Sequence, residues 1–155
     1  MFKDMRNANR QISKEESMQI LKDAEFGVFS TVGINGYPYG VPVSYILMDN
    51  AIYIHCAMEG NKLENIRYEP KVSFSVVGNT ELIPEKFTTK YESVIVYGHA
   101  EEITALDEKE SALLSIIDKY SKDFLAQGKA YITRAIDKTH IIKINIDHLT
   151  GKSLR

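Results

Sequence analysis

Hydrophobic and polar residues alternate with a period of two over much of the chain, and six segments carry the pattern: Gly27–Val32, 37–47, Ala51–Cys56, 72–76, 92–102 and 139–147. Successive side chains of a strand point to opposite faces, so each segment reads as a strand with one face turned inward. In 92–102, Val94, Val96 and Ala100 share one face, and Ile95, Tyr97 and His99 the other. In 139–147, Ile142, Ile144 and Ile146 share a face. Asn35-Gly36 is a strong hairpin turn signal, and Asp49-Asn50 makes the next turn. Pro38 and Pro42 cannot donate to a ladder, so strand 37–47 is expected to be irregular or edge-exposed. Residues 78–90 read as a polar loop.

Helical periodicity appears between the strands. Ser13-Lys14-Glu15-Glu16 reads as a capping box opening a helix to about Ala24, with Met18, Leu21 and Ile20 inward. Asn61-Lys62-Leu63-Glu64 resembles a second box, with Asn61 as N-cap and the helix ending before Pro70. Asp107-Glu108 opens a helix over 107–120 that buries Leu113, Leu114, Ile116 and Ile117. Residues 1–12 read as an exposed arm and 148–155 as a C-terminal tail; 121–138 show no decisive pattern. The expected fold is a single domain over 1–155, mainly β with peripheral helices, built as a six-stranded antiparallel barrel.

Composition narrows the function. The chain is 44% hydrophobic and 26% charged, with 19 basic and 21 acidic residues. No lysine or arginine run marks a nucleic-acid surface, and no apolar stretch reaches the roughly 20 residues of a membrane helix. The first six residues are mixed and charged, without an apolar signal region, and Cys56 is the only cysteine. A cytoplasmic protein is the expectation.

The strongest chemical signal is His55-Cys56-Ala57-Met58-Glu59-Gly60-Asn61-Lys62. It ends a strand, crosses a glycine turn and opens a helix with a lysine. Free N–H groups and partial positive charge at a helix start suit a phosphate, and Lys62 adds a full charge. The bland alternatives are a solvated Lys62 and an Asn61 that only caps. His55 titrates near neutrality and can deliver a proton, or it can be a hydrogen-bonded core histidine. Cys56 points to the opposite face from His55, so it reads as a small buried hydrophobe rather than a nucleophile. His99, His140 and His148 lack metal-site spacing, so no metal is expected. Glu101-Glu102 reads as a solvated strand end. Tyr39 is the choice for a ring-face contact with substrate.

Taken together, three stretches resemble the FMN-binding split-barrel superfamily of pyridoxamine 5'-phosphate oxidase, most closely its nitroimidazole-reductase branch. They are Asn35-Gly36-Tyr37-Pro38-Tyr39-Gly40-Val41-Pro42-Val43-Ser44-Tyr45; residues 52–57 with Gly60-Asn61-Lys62 and Asn65-Ile66; and Ile83-Pro84-Glu85 with Tyr91-Glu92-Ser93-Val94-Ile95-Val96-Tyr97-Gly98. Asp147-His148-Leu149-Thr150-Gly151-Lys152 also fits. The resemblance implies a homodimer with FMN at the interface. It lays the flavin ring along Val41, Pro42, Val43 and Ser44, and the ribityl phosphate on His55, Cys56, Ala57, Asn61 and Lys62. It brings Ser93 from the second subunit and makes His55 the catalytic residue. The branch often has histidine where this chain has Asn61, so the phosphate is expected to lean on Lys62.

Three activities fit this resemblance. One is an FMN-dependent oxidoreductase acting on small planar acceptors such as nitroaromatics, with NADH or NADPH docking transiently. The second is a protein that holds a flavin or haem without turnover. The third, pyridoxamine-phosphate oxidation, sits poorly with the uncharged stretch Tyr39-Gly40-Val41-Pro42-Val43-Ser44.

Overall fold

The computed structural model describes residues 1–155. Its strands are β1 (Gln11–Ile12), β2 (Gly27–Val32), β3 (Pro38–Val43), β4 (Ile46–Met48), β5 (Ala51–Cys56), β6 (Lys71–Ile83), β7 (Thr88–Ile103) and β8 (His140–Leu154). Its helices are α1 (Lys14–Asp23), α2 (Asn61–Tyr68), α3 (Leu106–Tyr120) and α4 (Leu125–Ala135). All strand pairs are antiparallel, in the order β3-β2-β6-β7-β8-β5-β4, with β1 added to β8. The sheet curls into a split barrel whose open edges are β3 and β4, which follow each other in the chain. No helix is long and apolar enough to cross a membrane.

Alternation builds two cores. Inward residues Phe29, Phe74, Val94, Val96, Ile142 and Ile144 fill the barrel, closed at one end by Leu21 of α1. The continuous apolar run Ala51-Ile52-Tyr53-Ile54 is buried on both faces. Ile52 and Ile54 enter the barrel, while Ala51 and Tyr53 pack outward with Ile141 under Ala112, Leu113, Ile116 and Ile132 of α3 and α4.

The structure differs from the sequence reading at several places. Strand 37–47 breaks at Ser44-Tyr45 into β3 and β4, and both prolines sit on edge strand β3. The polar loop 78–90 is largely ladder. β6 and β7 pair out to Ile83 and Thr88, and only residues 84–87 turn. The tail 148–155 is also strand, because β8 continues along β7 to Leu154. In the arm, Gln11–Ile12 pairs with Lys152 and Gly151. Residues 121–138 form α4 and its flanking 3-10 turns.

The caps divide in the same way. Ser13 and Glu16 form the expected capping box. Ser13→Ala is expected to cost about 1 kcal/mol. For a chain of this size that lowers the melting midpoint by about 2–4 °C in a thermal denaturation scan. Asn61, by contrast, is the first helical residue of α2. Gly60 is its N-cap, and no side chain caps the helix. α3 likewise starts at Leu106 after Ala105, with Asp107 and Glu108 inside its first turn.

Candidate functional site

The barrel forks beside Ser44. β4 pairs with β5 through Ile46↔Tyr53, Leu47↔Ile52 and Met48↔Ala51. Continued backwards, that register brings Ser44 level with His55. There the two strands part. Residues below Ser44 join β2 through Val43↔Gly27 and Val41↔Phe29. His55 and Cys56 stay on β8 opposite Ile141 and His140. Segments 41–44 and 55–62 therefore flank the point where the two strands part.

Tyr45 pins the fork. Its side chain is fully buried and its hydroxyl donates to the Leu21 carbonyl. Its backbone N–H donates to the Tyr120 hydroxyl at 3.0 Å. Lys119 donates to the carbonyls of Ala24 and Tyr45 at 2.7 and 3.1 Å, and its ammonium sits 4.0 Å from the Tyr45 ring centroid. Burial lowers the Lys119 pKa and raises that of Tyr45. α3 thus ties down the point where the sheet opens.

α2 fills the fork. Leu63 and Ile66 are buried in the barrel core, with Val41, Val43 and Cys56 packed against that same core. Asn65 Nδ2 donates to Thr31 Oγ1 at 2.9 Å, and Thr31 pairs with Tyr39 across the β2–β3 ladder. The helix N-terminus is bare. The backbone N–H groups of Asn61, Lys62 and Leu63 find no partner in the chain, as expected for uncapped first-turn donors. Gly60 has φ 134°, a conformation that favours glycine, and a Cβ there would meet nothing within 4 Å. Lys62 has no ion-pair partner. Three free donors, open space and an unpaired ammonium fit a phosphate group. Asn61 is exposed beside them, with its amide free to donate.

The remaining candidates differ in exposure. Val41, Val43 and Tyr39 are half-buried, while Pro42, Ser44 and Ala57 are exposed. His55 keeps an open face to solvent. Burial of its inner side, and then the charge of Lys62, lower its pKa below the ordinary histidine value. That influence brings Lys62 and His55 into one electrostatic neighbourhood. Lys62→Gln is therefore expected to raise the His55 pKa, read from the pH titration of its ring protons by NMR. An unchanged titration would separate the two groups. Cys56 is half-buried and burial raises its thiol pKa, the opposite of an activated nucleophile.

Ser93 lies elsewhere on the same subunit. It pairs with Lys152, eleven residues along β8 from the His55 partner Ile141. At about 3.3 Å per residue that is roughly 35 Å of strand. Ser93 thus lies well along the sheet from the opening of its own chain.

One cluster escaped the sequence reading. Arg67 makes a two-pronged ion pair with Glu102 at 2.5 and 3.0 Å, and His140 Nδ1 lies 3.2 Å from Glu102. Glu102 is thus no solvated strand end. The Arg67 guanidinium holds its carboxyl below the usual range. The pairing spans α2, β7 and β8, separations that periodicity does not reveal; Arg67 on the exposed side of α2 was the only local signal. No group of histidine, cysteine and carboxylate side chains is arranged to hold a metal.

The sequence profile of the family described as pyridoxamine 5'-phosphate oxidase matches residues 13–153. Among solved structures, similarity extends to a candidate 5-nitroimidazole antibiotic resistance protein of Bacteroides thetaiotaomicron VPI-5482. It is 25% identical at TM-score 0.79, over 92% of this chain and 86% of that one. An FAD- and heme-binding protein of Mycobacterium smegmatis superposes at TM-score 0.80 with 19% identity, over 93% and 73% of the two chains. The flavocytochrome Anf3 of Azotobacter vinelandii does so at TM-score 0.75 with 17% identity, over 98% and 72%. A comparison with curated proteins returns no match.

Proposed function

The chain belongs to the pyridoxamine 5'-phosphate oxidase family, and we propose that within it this protein is an FMN-dependent oxidoreductase that reduces small planar acceptors of the nitroaromatic kind. The observation that carries the reading is the bare N-terminus of α2, with unpaired Lys62, at the fork between Ser44 and His55. The candidate resistance protein of Bacteroides supports the choice of acceptor. β3 also carries no cation from Tyr39 to Val43 that would grip a pyridoxamine phosphate.

The N–H groups of Asn61, Lys62 and Leu63, with the Lys62 ammonium, would hold the cofactor phosphate. The edge of β3 at Val41–Ser44 would lie along its ring, where Pro42 and Ser44 are exposed. The bound flavin would supply the electrons. Reduction of a nitro group also takes up protons, and His55 is placed to give one. Its lowered pKa makes the protonated ring a stronger acid, and its open face lets it recover a proton from water.

The reading includes a homodimer. Ser93 lies well along the sheet from its own chain's opening, so it is assigned to the partner's. Val77, Leu82 and Phe87 are exposed along the β6–β7 hairpin, apolar surface that a second copy would cover.

The test uses purified protein under anaerobic conditions. The expected result is a yellow protein, a dimer by light scattering, that bleaches with NADH or NADPH and recovers its colour with a nitroaromatic. A protein that neither bleaches with either donor nor reoxidises with the acceptor after chemical reduction would instead be a flavin binder without turnover.

A further inference from the structure

The outer face of the sheet carries an aromatic floor. Tyr97 and His148 are direct partners across the β7–β8 ladder, so their rings stand side by side on one face. A bulge sets this register. Asp147 is skipped between the pairs Tyr97↔His148 and Gly98↔Ile146, and a Cβ on Gly98 would lie only 2.1 Å from the Asn145 carbonyl oxygen. Phe2 lies flat on the floor. Its ring is 4.6 Å and 5° from His148, and 5.1 Å and 28° from Tyr97.

This occupant is loosely held. Phe2 remains 47% exposed. Residues 1–6 make no hydrogen bond or ion pair with the rest of the chain. The cleft around the ring is lined by Ser93, Ile95, Thr150 and Lys152, with Lys3 alongside, and by no carboxylate. A flat slot with a basic rim suits a planar aromatic molecule whose substituent is anionic or rich in oxygen.

We infer that the Tyr97–His148 slot is a seat for a planar aromatic ligand bearing a carboxylate or nitro group, and that Phe2 is its intramolecular stand-in. Binding at the slot stands on the stacking geometry alone. Its role as the acceptor seat rests on the proposed function, because Ser93 lines the same cleft and is the residue assigned to the partner's flavin. In that dimer the slot opens beside the ring, and the arm competes with the acceptor for it.

The test is calorimetric titration of 4-nitrobenzoate into the purified protein. Phe2→Ala removes the competitor and is expected to tighten the probe's Kd about three- to tenfold, the scale of one aromatic pair. Tyr97→Leu keeps an apolar side chain but loses the floor, and is expected to weaken binding by a similar factor. A Kd that Phe2→Ala leaves unchanged or weakens would overturn the inference. So would a Tyr97→Leu variant that binds as the parent does, or no measurable binding to Phe2→Ala at millimolar probe. The two readings fail separately. If the Kd values shift as expected but reduced protein is never reoxidised by the probe, the slot stands and the enzyme does not. If turnover occurs with a KM insensitive to both variants, the enzyme stands and the slot does not.

Discussion

His55→Ala is expected to slow reduction of a nitroaromatic about a hundredfold, the lower end of what a positioned general acid contributes. The measurement is stopped-flow mixing of chemically reduced, flavin-loaded protein with the acceptor. Chemical reduction removes the electron donor from the comparison. Flavin affinity is expected to change far less, because the donors proposed to hold the phosphate belong to α2 and the backbone proposed to lie along the ring to β3. The neutral replacement also relieves Lys62 of a titratable neighbour, so any small effect on binding runs against a loss of anion grip. Equal losses in rate and affinity would make His55 a residue that shapes the fork rather than one that moves a proton. The rate of the parent protein is expected to fall as pH rises through the His55 titration. That titration lies below the ordinary histidine value, since burial and Lys62 both lower it. The variant is expected to lose this dependence.

Lys62→Ala is expected to weaken FMN binding by about 1–3 kcal/mol, the scale of one charge-assisted hydrogen bond. That corresponds to roughly five- to 150-fold in Kd, measured by flavin fluorescence. The loss falls on a single side chain because the position before it holds Asn61, which brings a donor but no charge. Gly60 is the N-cap, so it contributes no side chain either. Melting temperature without flavin is expected to stay near the parent value. Lys62 has no ion-pair partner to lose, and α2 is held by Leu63, Ile66 and the Asn65–Thr31 hydrogen bond. A variant that keeps its flavin with unchanged affinity would move the phosphate away from this helix.

The barrel was legible because its strands alternate. Val94, Val96, Ala100, Ile142 and Ile144 fall inside where period two puts them. The capping box at Ser13 was legible for the same local reason. What could not be read was set by partners far away in sequence. The ladder from Thr80 to Tyr91 buries neither face, and its apolar residues Leu82, Ile83 and Phe87 do not alternate, so no period-two pattern announced it. β8 beyond Asp147 was hidden by a bulge, which shifts the alternation by one residue. Residues 121–138 lacked a signal because α4 buries only Gly128 and Ile132, a stripe too thin to stand out. At the site, the His55–Lys62 stretch was visible as a motif. Its company was not: Arg67, Glu102 and His140 meet through tertiary packing. Nor was the distant stack in which Phe2 reaches Tyr97 and His148 through the path of the arm. Asn61 shows the limit of a local rule, since the turn before α2 takes a conformation that Gly60 supplies and so displaces asparagine from the cap.

Riboflavin has the same ring and ribityl chain as FMN and lacks only the phosphate, so the ratio of the two dissociation constants isolates the grip of residues 60–62. Equilibrium fluorescence titration of both ligands against the parent protein and Lys62→Ala is expected to show the parent preferring FMN by at least about tenfold, with most of that preference gone in the variant. A parent protein that binds both equally, or a variant that keeps the full preference, would contradict the placement of the anionic tail at the start of α2.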